Sequence, residues 1–232
     1  QDNPCPSWPC PPAKVASGWV PGTPHENGTL QTEAVWDQDQ LSFMQAMKKA
    51  IGDDKTLLFN GCAASATYPQ WETNSYNLLA VADGCTMEDW IVTGADTKAR
   101  VRTGAALQRD LTLFKGVNDR GKWSLPLIGK GVHKAAVNRY GIAAALLIWT
   151  GPHSAMNFWK GTATEAVNGT FRGSFPEACV DLGSPLEAFE TLPNGVLSRT
   201  FTGGRVLLNP TSRSATVPLG RTMHTIEGAS RA

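Results

Sequence analysis

Three polar positions follow short apolar runs and hold residue types that can do chemistry: Asn60, the pair Glu88 and Asp89, and Lys130 with nearby His133. Carboxylates at strand ends are groups that can donate and accept protons as general acids and bases. Glu88 is the sharpest of them. Helix N-caps favour Asp and Asn, and Glu is a poor cap, so a capping role explains Asp89 better than Glu88. A carboxylic acid beside Met87 and Trp90 is expected to sit in apolar surroundings that raise its pKa and suit a general acid. The competing explanation is structural: each of these residues turns the chain or opens the next helix. Other chemistries find no support. There is no GxSxG elbow, no phosphate-binding glycine loop and no HExxH pair, and His25, His133, His153 and His224 lack ligand spacing. No metal and no organic cofactor is expected.

The elements that must position these residues alternate. A helix with Leu41, Met44, Met47 and Ile51 on one stripe starts near Asp37 and Asp39 and stops at Gly52. The run Thr56-Leu57-Leu58-Phe59 reads as a buried strand ending at Asn60-Gly61. Next come a short helix over Tyr76 to Val81, a strand over Gly84 to Met87, and a helix over Thr103 to Val117. A strand over Trp123 to Ile128, an apolar helix over Ala135 to Trp149 and a last short strand over Ser154 to Trp159 complete the series. Such alternation predicts βα units around a parallel sheet, with the site at the C-terminal ends of the strands. After about Asp181 the pattern changes to short β runs at Val196 to Phe201, Arg205 to Leu208 and Ala215 to Leu219. Turns at Gly203-Gly204 and at Asn209 to Ser212 join them into an antiparallel appendix packed on the sheet.

Composition bounds the rest. The chain has 232 residues, with 21 Lys and Arg against 20 Asp and Glu. That balance argues against nucleic acid and polybasic membrane contacts, and no apolar run is long enough to span a bilayer. Five cysteines occur: Cys5, Cys10, Cys62, Cys85 and Cys179. They stand with two sequons, Asn27-Gly28-Thr29 and Asn168-Gly169-Thr170, and together point to a secreted glycoprotein with glycans at Asn27 and Asn168. Cys5 and Cys10 are candidates to staple the Pro-rich opening segment. Cys62 and Cys85, both near strand ends, are candidates for a disulfide, which is favoured over a catalytic thiol. No apolar leader precedes Gln1, so the chain is expected to be a processed protein or a fragment.

The stretches TLLFNG, ADGCTMEDW, RYGIAAALLIWTG and DLGSPLEAFETLPNGVLSRTFTGGRVLLNPTSRSATVPLG together resemble the C-terminal half of glycoside hydrolases built on a (β/α)8 barrel, the group called hypothetical glycosyl hydrolase-like family fifteen. The shared pattern is an Asn-Gly after one strand, Asp-Gly-x-x-x-Glu on the next, and a closing β segment of the form R.F..G.VLLNP. The resemblance covers most of residues 36–220 and implies an α/β fold: the C-terminal part of a TIM (β/α)8 barrel followed by a small antiparallel β appendix. The organisation expected is a Pro/Cys-rich loop over 1–35, barrel units over 36–180 and the β meander over 181–232. The resemblance implies hydrolysis of O-glycosidic bonds. Glu88 matches the strand-end acid, Asp2 or a residue outside the chain supplies the second carboxylate, and Asn60, Lys130 and the aromatic platforms Trp71 and Trp90 meet the carbohydrate. The rival reading is a non-catalytic structural or carbohydrate-binding glycoprotein on the same scaffold. About four βα units make half a barrel, so an upstream segment, a partner chain or self-association is expected to complete it.

Overall fold

The structure is a computed structural model and describes residues 33–94, 99–130, 135–159, 181–225 and 230–231. These fall into two compact units, one of residues 33–57 with Tyr76–Ala82, the other of Leu58–Ser75 with the described residues after 83.

The first unit is built on α1 (Glu33–Ile51). It starts a full turn before Asp37 and ends as the sequence predicts. Gly52 takes φ +82° and donates its N–H to the Lys48 carbonyl at 3.0 Å, the left-handed stop that glycine adopts without penalty. Of the expected stripe only Met44 is buried, and Phe43 is exposed.

The second unit carries the parallel strands. β1 (Leu58–Asn60) pairs in parallel with β2 (Gly84–Thr86), and β2 with β5 (Trp123–Ser124). β6 (Leu127–Lys130) pairs in parallel with β7 (Asn157–Trp159), and a bridge joins Ser124 to Ser154. The predicted βα strands are thus parallel and in chain order, but the single strand expected over Trp123 to Ile128 is split at Leu125-Pro126 into β5 and β6, which belong to separate sheets. The connecting helices are α2 (Gln70–Leu79), α3 (Gly104–Asp119) and α4 (Ala135–Ile148). α2 starts six residues before the sequence predicts. The sheets are small and none closes among the described residues, so the fold is mixed α/β, and the barrel outline expected from the sequence is not seen. No described helix is long and apolar enough to cross a membrane.

Gly84 explains the Asp-Gly of the motif. A Cβ there would sit 2.3 Å from the Trp123 carbonyl oxygen, so only glycine lets β2 approach β5 this closely.

An unpredicted hairpin, β3 (Val92–Thr93) against β4 (Arg100–Val101), follows β2. The appendix is β8 (Glu190–Thr191), β9 (Leu197–Thr200) and β10 (Arg205–Leu208), antiparallel in that order. Reciprocal bonds between Phe201 and Gly204 close the hairpin around Thr202-Gly203, one residue earlier than predicted. The expected strand over Ala215 to Leu219 is absent. β8 supplies the third strand on the opposite edge, at β9, and the Thr216 carbonyl accepts from the Asn194 side chain at 2.8 Å instead of from a neighbouring strand. A short pair, β11 (Met223–His224) and β12 (Ser230–Arg231), closes the described chain.

The appendix does not lie on the parallel sheet as expected; it packs on α4. The packing rests on Arg199. Its side chain is buried, and burial lowers its pKa from the ordinary value. The guanidinium donates to the carbonyls of Leu146 (3.2 Å), Leu147 (2.9 Å) and Trp149 (2.5 Å), and Nε donates to the Glu187 carbonyl at 2.8 Å. Asn118 of α3 donates to the Ile148 carbonyl at 2.6 Å. Two side chains thus satisfy the carbonyls that a helix C-terminus otherwise leaves orphaned, and the cation meets the negative end of the helix dipole.

Arg199→Met should therefore lower unfolding free energy by on the order of 3 kcal/mol, because it removes buried charge-assisted bonds and takes the donor from the Leu147 and Trp149 carbonyls, while the Leu146 carbonyl keeps the Trp149 N–H. Arg199→Lys should recover little, since an ammonium cannot reproduce the planar fork. Urea unfolding measures both; wild-type stability in Arg199→Met contradicts this clamp.

Candidate functional site

Asn60 ends β1 and pairs with Thr86, the last residue of β2, so the next turn of β2 brings Glu88 across to it. Asn60 Nδ2 donates to Glu88 Oε1 at 3.1 Å, and both residues are exposed. Two residues 28 apart in sequence are joined at the C-terminal edge of a parallel sheet, where βα folds place their sites. An amide bound to one carboxylate oxygen fixes the plane of the carboxylate and leaves the other oxygen to be aimed.

The backbone just after Glu88 is strained. Asp89 has φ +54° and Ile91 φ +62°. The left-handed region is unusual for any residue with a side chain and a genuine outlier for a β-branched one. Val92 N–H reaches the Trp90 carbonyl at 2.6 Å across Ile91, a three-residue turn of the rare, strained kind. Each such residue costs about 1–3 kcal/mol and persists only where its surroundings hold it.

The holding groups come from three elements. Trp90 N–H donates to the Leu127 carbonyl at 3.0 Å, and Leu127 N–H to Met87 at 3.0 Å, which sews the turn to β6. The Trp90 indole is fully buried, edge-on to Phe114 with centroids 5.5 Å apart, and its Nε1 donates to the Asp110 carbonyl at 3.4 Å. The Asp110 carboxylate accepts from Ile91 N–H and is bridged by Arg102 Nη1 at 3.2 Å. Arg102 N–H in turn donates to the Ile91 carbonyl at 2.7 Å, and Tyr140 hydroxyl to the Arg102 carbonyl at 2.8 Å. Asp110 is fully buried, and its Oδ2 has no hydrogen-bond partner among the described residues. Burial pushes its pKa from 3.8 up to about 6, against the opposing pull of Arg102, the Ile91 N–H and Arg109.

Several sequence-predicted site residues are placed differently by this geometry. Trp90 has no face for a sugar, because the turn directs its ring into the core. Met87 is buried too, so neither side chain shields the exposed Glu88 carboxylate as expected. Asp89 caps no described helix; it sits within the strained turn, and its Oδ1 is buried with no hydrogen-bond partner among the described residues. Cys62 and Cys85 are neighbours, but they are two free, buried thiols rather than a disulfide. Burial and the hydrogen bond between them hold the Cys85 thiol far above its ordinary range, which makes it inert.

Trp71 keeps partial exposure. It lies on α2, at the end of the loop that leaves Asn60, and stacks on Tyr68 with centroids 4.7 Å apart and planes 18° from parallel. Ser75 braces that loop, accepting from Ala63 N–H at 2.9 Å and donating to the Trp71 carbonyl at 2.8 Å. Tyr68 was missed by sequence reasoning, although an aromatic three residues before Trp71 was a legible signal. Lys130 ends β6 as a backbone position. Asp2, Cys5, Cys10, Asn27, His133, Asn168 and Cys179 lie outside the described residues.

A family model described as hypothetical glycosyl hydrolase family 15 matches residues 13–205. The match spans the Asn60 and Glu88 strands and reaches β10. A search of curated proteins gives no match.

The Asp110 carboxyl predicts a pH dependence. Its folded pKa is raised, so the folded chain holds this proton more tightly than the unfolded chain does. The resulting stability is fully present below about pH 4 and is lost as pH rises through about 6. The change is on the order of 3 kcal/mol. Urea unfolding at pH 4, 5, 6 and 7 should show this fall, and Asp110→Asn should flatten it. An equal slope in the variant would assign the dependence elsewhere.

Proposed function

The chain belongs to hypothetical glycosyl hydrolase family 15, and from that premise we propose that it hydrolyses O-glycosidic bonds at the C-terminal edge of its parallel strands. The observation that carries the reading is the bond between Asn60 and Glu88, two strand-end residues brought together from adjacent strands. Glu88 acts as general acid and base. It delivers a proton to the leaving glycosidic oxygen; on a retaining route, where the second carboxylate forms the glycosyl-enzyme, Glu88 then takes a proton from the water that releases it, and on an inverting route the second carboxylate takes the water's proton. Asn60 keeps its carboxyl group in one orientation through both steps. The strained turn supports the assignment, because strain of this kind clusters where a side chain must be presented in one orientation. The stacked Tyr68 and Trp71 supply an apolar surface for a sugar ring. Asp2, or a carboxylate from another segment, provides the second carboxyl group. A separation from Glu88 of about 5–5.5 Å would give retention of configuration, and a wider one inversion.

Secretion belongs to the same reading, supported by the sequons at Asn27 and Asn168 and the five cysteines. β1 lies at the edge of its three-stranded sheet, and Leu58 on it is 41% exposed. That edge is where an upstream barrel segment or a second copy of the chain would pair.

Activity against a panel of aryl glycosides and polysaccharides tests the function. Glu88→Gln should lose roughly 10²–10⁴-fold in rate, since Gln keeps the shape but transfers no proton. Its melting temperature should not change, because Glu88 is exposed. A variant as active as wild type removes Glu88 from the mechanism. Oligosaccharide binding by both proteins with turnover by neither would support the non-catalytic alternative.

A further inference from the structure

A second concavity lies in the same unit, away from the strand-end residues. It is a cavity of about 870 Å³ between α4, the β9–β10 hairpin and the segment 219–225. That size falls within the range of small-molecule sites. Its floor is aliphatic, with Ile142 and Leu146 from α4 and Val206 from β10. Its polar groups are mainly cationic: Arg139 from α4, Arg205 from β10 and Arg221 from the C-terminal segment.

The charge is concentrated. Among the described lining residues there are three arginines and one acid, Asp181. Asp181 is engaged within its own loop, where its carboxylate accepts from Gly183 N–H at 2.7 Å. Arg205 is held in place: Nε donates to the buried Ser198 hydroxyl at 2.8 Å, and Nη2 meets Glu190 at 3.4 Å. A guanidinium fixed in this way loses little freedom on binding an anion. Among the described lining residues there is no Phe, Tyr or Trp, and the aliphatic floor suits a hydrocarbon body.

We propose that this cavity binds an amphipathic organic anion, with a carboxylate or phosphate head on the arginines and an aliphatic body on the floor. Guanidinium groups match both heads through paired hydrogen bonds. The inference is independent of the glycosidase reading, since Asn60, Trp71 and Glu88 do not line the cavity.

Calorimetric titration of the full chain tests it with four probes below their micelle concentrations: octyl phosphate, octanoate, octyl glucoside and inorganic phosphate. Octyl phosphate or octanoate should bind, and the tighter of the two identifies the head group. Octyl glucoside, with the same chain and a neutral head, and inorganic phosphate, with no chain, should each bind at least tenfold more weakly. Arg221→Met alters an exposed side chain and should keep the wild-type melting temperature; Arg139→Met is titrated at a temperature where its melting curve shows it fully folded. Each should weaken the anionic probe roughly tenfold, the effect of losing one charge-assisted bond. Octyl glucoside or inorganic phosphate binding as tightly as the best anionic probe would overturn the proposal. So would wild-type affinity in both variants, or no binding by any probe.

Discussion

A buried arginine facing carbonyls is the constraint on which the second unit depends. Arg199 has given up water and, in the described structure, meets backbone dipoles: three carbonyls at the end of α4 and one at Glu187. A desolvated cation is costly unless every donor is directed. The helix end that receives it would be equally costly without a donor. The two deficits cancel only when β9 and α4 hold one relative position. Phe201 and Val206 are buried alongside, and Arg199 lies over the Phe201 ring at 5.5 Å. The R.F..G.V segment is therefore a structural clamp. Its Arg fixes α4, its Phe fills the core, and its Gly closes the hairpin.

α4 is also the element that Tyr140 belongs to, and Tyr140 supports Arg102, which supports Asp110 and the turn after Glu88. A connected set of contacts thus runs from the appendix to the strand-end pair. Within it, stability is given up at one place. Asp110 keeps a buried oxygen without a partner, and Ile91 stays in a left-handed conformation. Both features hold residues 88–91 in a path that a relaxed loop would not take. Under the proposed function, such a path presents the Glu88 carboxylate at a fixed position.

The parallel series was legible because each strand is a short apolar run stopped by Gly or Asn, and because α4 is apolar nearly all round. Asn60 and Glu88 were legible for the same reason: polar residues at the ends of buried runs stand out. The direction of Trp90 was not, because two left-handed residues break the alternation that would have placed it. Arg199 was hidden as well. A charged residue in a strand reads as solvent-facing, and its partners are carbonyls some fifty residues earlier in the chain. The β3–β4 hairpin has two-residue strands, too short to leave a periodic signal. The strand expected at Ala215 to Leu219 did not form on the β10 edge; the Thr216 carbonyl accepts from the Asn194 side chain, and β8 adds to the opposite edge at β9. The Cys62 and Cys85 pairing was right as proximity and wrong as chemistry: strand ends brought the two together as buried, hydrogen-bonded free thiols.

The central claim is that Asn60 and Glu88, joined by one hydrogen bond, meet a carbohydrate. The side-chain amide of Asn60 reports on this directly, since its NH2 resonances in a ¹⁵N-resolved NMR spectrum depend on the Glu88 carboxylate that accepts from it. Oligosaccharides released from a plant or microbial cell-wall preparation, titrated into the labelled full chain, should shift the Asn60 amide together with the Trp71 indole N–H. The Trp90 indole, sealed in the core, should stay in place. Saturable shifts at Asn60 and Trp71 are the result this account predicts. An Asn60 amide that remains unmoved while other residues respond to the sugar would contradict it.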